Sequence, residues 1–305
     1  MSRPEGVAAR LELPSVRALL EGLVDYAGLF PPAGLDLATT VGNYAAYQRR
    51  PDHWALARLV VPAGRLPELE TALERLPEVD RLGTRWPLTV LLGSDRAGDL
   101  EAVRGFSERH VHDGIRIGSL EARIAATAEV VTLATQLPPE CELYLELPAG
   151  PAMEPLIAAV AAAGVRAKIR TGGVLPGDIP DPDQVLAFLA SCARQRVPFK
   201  ATAGLHHPVR GRRPLTYEPG SVQAVQFGYL NLFLAAAALW RGLPMAAAGS
   251  LLVADELDPP VFEPARIRWG GIALETAAIR EARQEFALAM GSCSFTEPVE
   301  EIESL

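Results

Sequence analysis

Short apolar runs alternate with longer segments of helical period along most of the chain. The β-like runs are VDYAGLF (Val24–Phe30), ARLVV (Ala57–Val61), LTVLL (Leu88–Leu92), GIRI (Gly114–Ile117), ELYLEL (Glu142–Leu147), RAKIR (Arg166–Arg170), PFKAT (Pro198–Thr202) and RIRWG (Arg266–Gly270). Between them the apolar positions recur with a helical period, as in DLATTVGNYAAYQRR, where Asp36 is a natural N-cap, and DPDQVLAFLASCARQR, where Asp181 precedes Pro182 at the first helical position. LPELETALERL, DLEAVRGFSERH, AATAEVVTLATQL, MEPLIAAVAAAG and IREARQEFALAM complete the helical set. Eight strands, each followed by a helix or a long connection, predict a single (β/α)8 TIM barrel over residues 1–305. A helical extension over residues 1–23 precedes it, and the polar segment 209–226 predicts a long loop after the seventh strand, of a length usually found in lids or disordered segments.

Side chains alternate between the two faces of a strand, and the outer face of a barrel strand must pack on helices. The polar set therefore points into the lumen: Lys168 with Arg170, Lys200 with Thr202, Glu142 with Tyr144 and Glu146, Arg116, Arg268, and Asp25 at the start of the first run. Such a lumen is either a buried ion-pair network or a site at the C-terminal mouth, where these barrels carry their chemistry.

Composition sharpens this picture at one point. Of the 29 Lys and Arg residues, only Lys168 and Lys200 are lysine. A lysine amine can lose its proton and attack a carbonyl, whereas a guanidinium stays protonated. A second cation nearby disfavours the charged form, so two lysines on adjacent strands are expected to give an activated amine. The net charge of −8 offers no basic field for nucleic acid or an anionic membrane. Three widely spaced cysteines (Cys141, Cys192, Cys293) fit no disulfide framework or paired-cysteine zinc site, and suit a reducing cytoplasm. The N-terminus shows no continuous apolar signal region, and the apolar runs around LNLFLAAAALWRGLPMAAAGSLLVA are too short to span a bilayer, so a buried helix pair is expected there. No GxGxxG follows the first strand.

The stretch AKIRTGG (Ala167–Gly173), followed one βα unit later by PFKATAG (Pro198–Gly204), resembles deoxyribose-phosphate aldolase. That family carries Lys-x-x-Thr-Gly on strand six and Phe-Lys-Pro-Ala-Gly-Gly on strand seven. The resemblance implies a class I aldolase-like lyase, with Lys168 as the Schiff-base lysine and Lys200 as the lysine that tunes it. Thr171 and Gly172 match the Thr-Gly after the first lysine, and Gly204 falls at a glycine of the second motif. LVDYAGLF is similar to the family's first strand, with Asp25 at its aspartate, and RWGG (Arg268–Gly271) is similar to the Arg-Phe-Gly stretch of its last. The chain departs from the family in three places. It offers only Asp95 and Glu121, both late in their segments, for the strand-three or strand-four aspartate. The phosphate-holding serines after the last strand are absent from RWGGIALE, and HHPVRGRRP replaces the short second turn.

The candidate catalytic set is thus Lys168, Lys200, Glu146 and Asp25, with Glu146 the first choice for proton transfer because it shares the lumen with the lysines. The candidate substrate contacts are Arg170, Thr171, Gly172, Gly173, Thr202, Gly204, His206, His207, Arg268, Gly270 and Gly271. Gly172, Gly173, Gly270 and Gly271 could present backbone N–H groups to a phosphate. Two alternatives stand beside this set. His206 with Glu146 could form the partial His/carboxylate site of a metal-dependent lyase or isomerase, although adjacent histidines on a strand face opposite ways. Alternatively, the lysines pair with Glu146 and Asp25 in a barrel without catalysis. His110 and His112, at the entry to a strand, suit a structural role. Our expectation is a small carbonyl substrate, phosphorylated or not, no metal or other cofactor, and no nucleic-acid or membrane partner, with homo-oligomer formation left open.

Overall fold

The computed structural model describes residues 10–82, 85–112, 114–138, 140–150 and 152–305; the first nine residues of the expected N-terminal extension lie outside them. Eight parallel strands close into a barrel: β1 (Val24–Tyr26), β2 (Leu56–Pro62), β3 (Trp86–Leu91), β4 (Ile115–Arg123), β5 (Glu142–Glu146), β6 (Arg166–Arg170), β7 (Phe199–Thr202) and β8 (Ala287–Ser292). Each strand pairs with its chain neighbours, and β8 closes the ring between β7 and β1. The chain is a (β/α)8 TIM barrel. The described part of the extension is a short 3-10 turn, Arg10–Glu12, and a helix, Pro14–Leu20.

The eighth strand is not the one the sequence pattern suggests. Arg266–Trp269 belongs to a separate three-stranded antiparallel sheet with Val261–Glu263 and Ile272–Glu275. Trp269 pairs with Ile272, so Gly270 and Gly271 form a two-residue hairpin turn, both with positive φ (56° and 78°). A tight turn of this kind requires that geometry at both central positions, which explains the Gly-Gly pair. The true β8 lies in ALAMGS, which continues the apolar spacing of the preceding helix Thr276–Glu285 and so reads as its last turns. A short apolar run cannot be assigned to strand or helix by period alone. The buried guanidinium of Arg283 marks the junction, donating to the carbonyls of Leu19 (2.7 Å), Glu21 (3.1 Å) and Leu288 (2.5 Å), which ties the start of β8 to the entry of β1.

The segment expected as a long loop is ordered by pairing. Gly211–Pro214 and Gln223–Gln226 form an antiparallel hairpin. The apolar stretch beyond it makes two helices, Tyr229–Trp240 and Met245–Val253, the first almost wholly buried. Asn231 locks this corner, accepting from the Arg210 N–H (2.8 Å) and donating to the carbonyls of Leu251 (2.7 Å) and Ala254 (2.8 Å). A buried amide satisfied on both sides specifies one packing arrangement. Among the described residues, no helix is long and apolar enough to cross a membrane.

Candidate active site

The barrel interior is layered by charge. At the N-terminal ends of the strands, Glu142 on β5 takes Arg58 (2.9 Å) and Arg166 (2.6 Å). Thr89 and Ser119 meet at 2.7 Å in the next layer. Above them β6 and β7 pair in register, Lys168 beside Lys200, and β5 places Glu146 beside Lys168. The two lysines are buried, 3% and 1% exposed.

These groups form one continuous chain of ion pairs. Lys200 Nζ bonds both Asp25 Oδ2 and Glu121 Oε1. Glu121 Oε2 accepts from Lys168 Nζ at 2.6 Å, and Lys168 reaches Glu146 Oε2 at 2.9 Å. Glu146 Oε1 in turn accepts from Arg123 Nη2 (3.0 Å) and Arg170 Nε (3.3 Å). Asp25 is fixed from its other oxygen by the Arg58 backbone N–H (2.8 Å). Lys168, Lys200, Glu146, Asp25 and Arg170 therefore come together as the sequence suggests.

Glu121, left outside the candidate set by the sequence pattern, is the centre of the network. The run GIRI covers only the start of β4, which continues to Arg123. Its register against β3 slips by one residue at Gly118, between the pairs Leu88–Ile117 and Thr89–Ser119. That bulge reverses the alternation, as such insertions do. Ser119, Glu121 and Arg123 turn inward, while Arg116, expected in the lumen, is exposed and pairs with Glu140. The polar alternation S-x-E-x-R is the signal in the sequence that marks this face.

The electrostatics also differ from the simple expectation of a lysine weakened by a second cation. Burial works against the Lys200 ammonium, but Asp25 and Glu121 overcome it and raise its pKa above the ordinary lysine value. Burial likewise works against the Glu121 carboxylate, yet Lys168 and Lys200 hold its pKa at about 2. For Glu146 the same opposition, won by Lys168 and Arg170, also gives about 2. Glu121 lies between the two ammoniums and screens each from the other.

Other candidates take different places. The Thr171 hydroxyl donates to the Ala203 carbonyl at 2.7 Å and joins the loops after β6 and β7. Gly172 and Gly204 lie where those loops cross: a Cβ on Gly172 would fall 2.9 Å from Gly204 Cα. Gly173 and Thr202 line the cavity above the lysines. His206 lines it too, its imidazole 3.3 Å from Ser292 Oγ and 3.5 Å from Glu297. His207 turns onto Glu301 at 2.9 Å. Arg268 is exposed, on Glu263 (2.8 Å), and with Gly270 and Gly271 it stands in the antiparallel sheet, not in the barrel. Of the two histidines expected to be structural, His110 pairs with Glu70 at 2.9 Å and His112 is exposed. His206 and Glu146, the alternative metal pair, line different cavities, and among the described residues no three His, Cys, Asp or Glu side chains are grouped to hold a metal ion.

Two spaces reach Lys168. A cavity of about 240 Å³ over both lysines is walled by Ala27, Phe30, Pro31, Thr202, His206 and Cys293. A larger open groove of about 1160 Å³ runs on the β3–β6 side past Arg96, Arg123, Glu146 and Arg170. Lys168 lines both, and Lys200 only the first. No protein-family model matches the chain, and no curated protein matches its sequence.

The charge layer predicts acid lability. The carboxyls of Glu121 and Glu146 titrate near 2 folded and near about 4.3 unfolded, so their contribution is complete above about 4.3 and is lost as pH falls toward 2. His206, pushed down to about 4 by burial and by His207, is kept neutral in the fold; its contribution is complete above about pH 6.5 and is lost toward 4. The denaturation midpoint should therefore fall below about pH 6.5 and drop more steeply below about 4.3. A midpoint unchanged between pH 7 and pH 4 would contradict this.

Proposed function

We propose that the protein is an aldolase-like lyase that makes or breaks a C–C bond beside a carbonyl through a Schiff base on Lys168. The observation that carries this is the position of Lys168: a buried amine at the meeting of two cavities, between two carboxylates at 2.6 and 2.9 Å. Glu146, ionised and facing the groove, is placed to take the proton that Lys168 must shed before attack. Addition of the neutral amine to the carbonyl gives a carbinolamine. Return of a proton from Glu146 lets the hydroxyl leave as water and forms the iminium. The iminium then accepts the electron pair released when the neighbouring C–C bond breaks, while the hydroxyl on the departing carbon passes its proton to the again ionised Glu146 and that fragment leaves as a carbonyl compound. Lys200, held charged by Asp25 and Glu121, is a fixed cation beside this centre. Glu121 supports the resemblance to deoxyribose-phosphate aldolase, because β4 runs on to Arg123 and brings this late-lying carboxylate onto both lysines.

One observation favours a second reading. Both ammoniums are fully paired, as in a structural ion-pair network. Borohydride reduction with a panel of small aldehydes and ketones separates the two, read by intact mass and peptide mapping. The lyase reading expects one stable adduct per chain, on Lys168. Absence of any lysine adduct across the panel favours the structural network.

A further inference from the structure

We infer that the groove beside Lys168 binds a carboxylate of the substrate through Arg123 and Arg170, so that the carbonyl compound taken by this site is a short oxo acid. The inference rests on the Lys168 reading and adds the substrate class to it.

Glu146 sets the geometry. One of its oxygens faces Lys168 at 2.9 Å, and the other takes Arg123 Nε (3.2 Å), Arg123 Nη2 (3.0 Å) and Arg170 Nε (3.3 Å). A single carboxylate thus spans from the amine to both guanidiniums. Lys168 and both guanidiniums line the same groove, so an anion held by the arginines shares that groove with the amine. The second Nη of Arg123 and both Nη atoms of Arg170 have no hydrogen-bond partner among the described residues, and both side chains reach the groove, 72% and 43% exposed. Paired guanidinium forks match the planar, two-oxygen shape of a carboxylate.

Charge selects a single negative charge. The connected chain holds four cations, Lys168, Lys200, Arg123 and Arg170, against three carboxylates, Asp25, Glu121 and Glu146, which leaves one positive charge. Glu129, Asp178 and Asp181 also line the groove and keep their charge there, Glu129 bound by the Ala125 and Ala126 N–H groups and Asp178 by that of Leu175. Arg96 on the same wall donates, among the described residues, only to carbonyls, those of Leu92, Gly93 and Arg123. A monoanionic carboxylate balances the connected chain, whereas a phosphate dianion would exceed it and face the acidic wall of Glu129, Asp178 and Asp181.

The test uses lactate, a carboxylate whose alcohol carbon cannot form an imine, so that binding is read apart from chemistry. Ligand-observed NMR titrations would compare lactate, glycerol and inorganic phosphate on the wild type and on the Arg123→Gln/Arg170→Gln variant. Lactate should bind the wild type, at least about ten-fold more weakly to the double variant, and more tightly than phosphate, while glycerol binds neither; one lost charged contact corresponds to about that factor. In parallel, borohydride trapping should favour pyruvate over acetone on the wild type and lose that preference in the variant. Should the double variant fail to fold by circular dichroism, either single substitution carries the same comparison. Equal lactate affinity in the two proteins, no lactate binding to the wild type, or tighter binding of phosphate overturns the inference. A lactate effect without any adduct upholds the carboxylate site and sinks the Lys168 chemistry. Adducts without a lactate effect do the reverse.

Discussion

Replacing Glu121 with glutamine is expected to lower the unfolding free energy at neutral pH by about 3–5 kcal/mol, the cost of leaving buried charge without its partner. Among the described residues, Glu121 is the only carboxylate bonded to both lysines, one through each oxygen. A glutamine of the same shape offers one oxygen and one NH₂ group. The oxygen can serve one ammonium, but the NH₂ group then presents a donor to the other, which can only donate. The two ammoniums also lose the negative charge between them, so each disfavours the other's charged form. The sign with pH follows from this. In the wild type the raised Lys200 pKa gives stability that is fully present below the unfolded lysine value, about 10.4, and is lost as pH rises from there through the raised value. In the variant Lys200 loses one of the two carboxylates that raise it and titrates lower, so its penalty is relieved as it loses its proton. The gap between wild type and variant should therefore narrow from pH 7 to pH 10 in denaturant titrations. A constant gap, or one below about 1 kcal/mol at pH 7, would show that Glu121 is not the bridge.

The parts of this site that are legible in the sequence depend on strict two-residue alternation. β6 and β7 keep it, so alternation alone puts Lys168 and Lys200 in the lumen and on adjacent strands. β5 keeps it too, which places Glu146. β4 breaks it at Gly118, and one added residue moves Arg116 out and Glu121 in. The error at β8 has another origin. ALAMGS carries no charge or turn residue at its start, so the preceding helical period runs through it. The run RIRWG, with good alternation and a turn after it, is a true strand of the wrong sheet, because alternation says nothing about which neighbour a strand pairs with. The hairpin at Gly211–Gln226 is hidden because its strands are mostly polar and lack the apolar alternation that marks a strand.

The partition between the two lysines gives the other large expected effect: Lys168→Arg should abolish the borohydride-trapped adduct, and Lys200→Arg should keep it. Arginine at 168 retains a cation for Glu121 and Glu146 but cannot act as the nucleophile. At position 200 only the charge is required. Lys200 lies behind Lys168, bonded to two carboxylates and absent from the walls of the open groove, so its amine is neither free nor reachable from that side. An arginine there keeps the partners of Asp25 and Glu121, though its bulk in a buried site is expected to cost about 1–3 kcal/mol and to slow trapping. Lys200→Leu should be worse, because it leaves the buried Asp25 without its ion-pair partner and Glu121 with Lys168 alone, at about 3–5 kcal/mol. It also removes a cation that keeps Glu121 ionised, so that carboxyl would titrate higher and bind Lys168 less firmly. The order of trapping rates should be wild type, then Lys200→Arg, then Lys200→Leu, with Lys168→Arg at zero. Because the chain has only two lysines, peptide mapping assigns any lysine adduct without ambiguity. An adduct on Lys200 would reverse the roles. An adduct that survived in Lys168→Arg would remove Lys168 from the chemistry altogether.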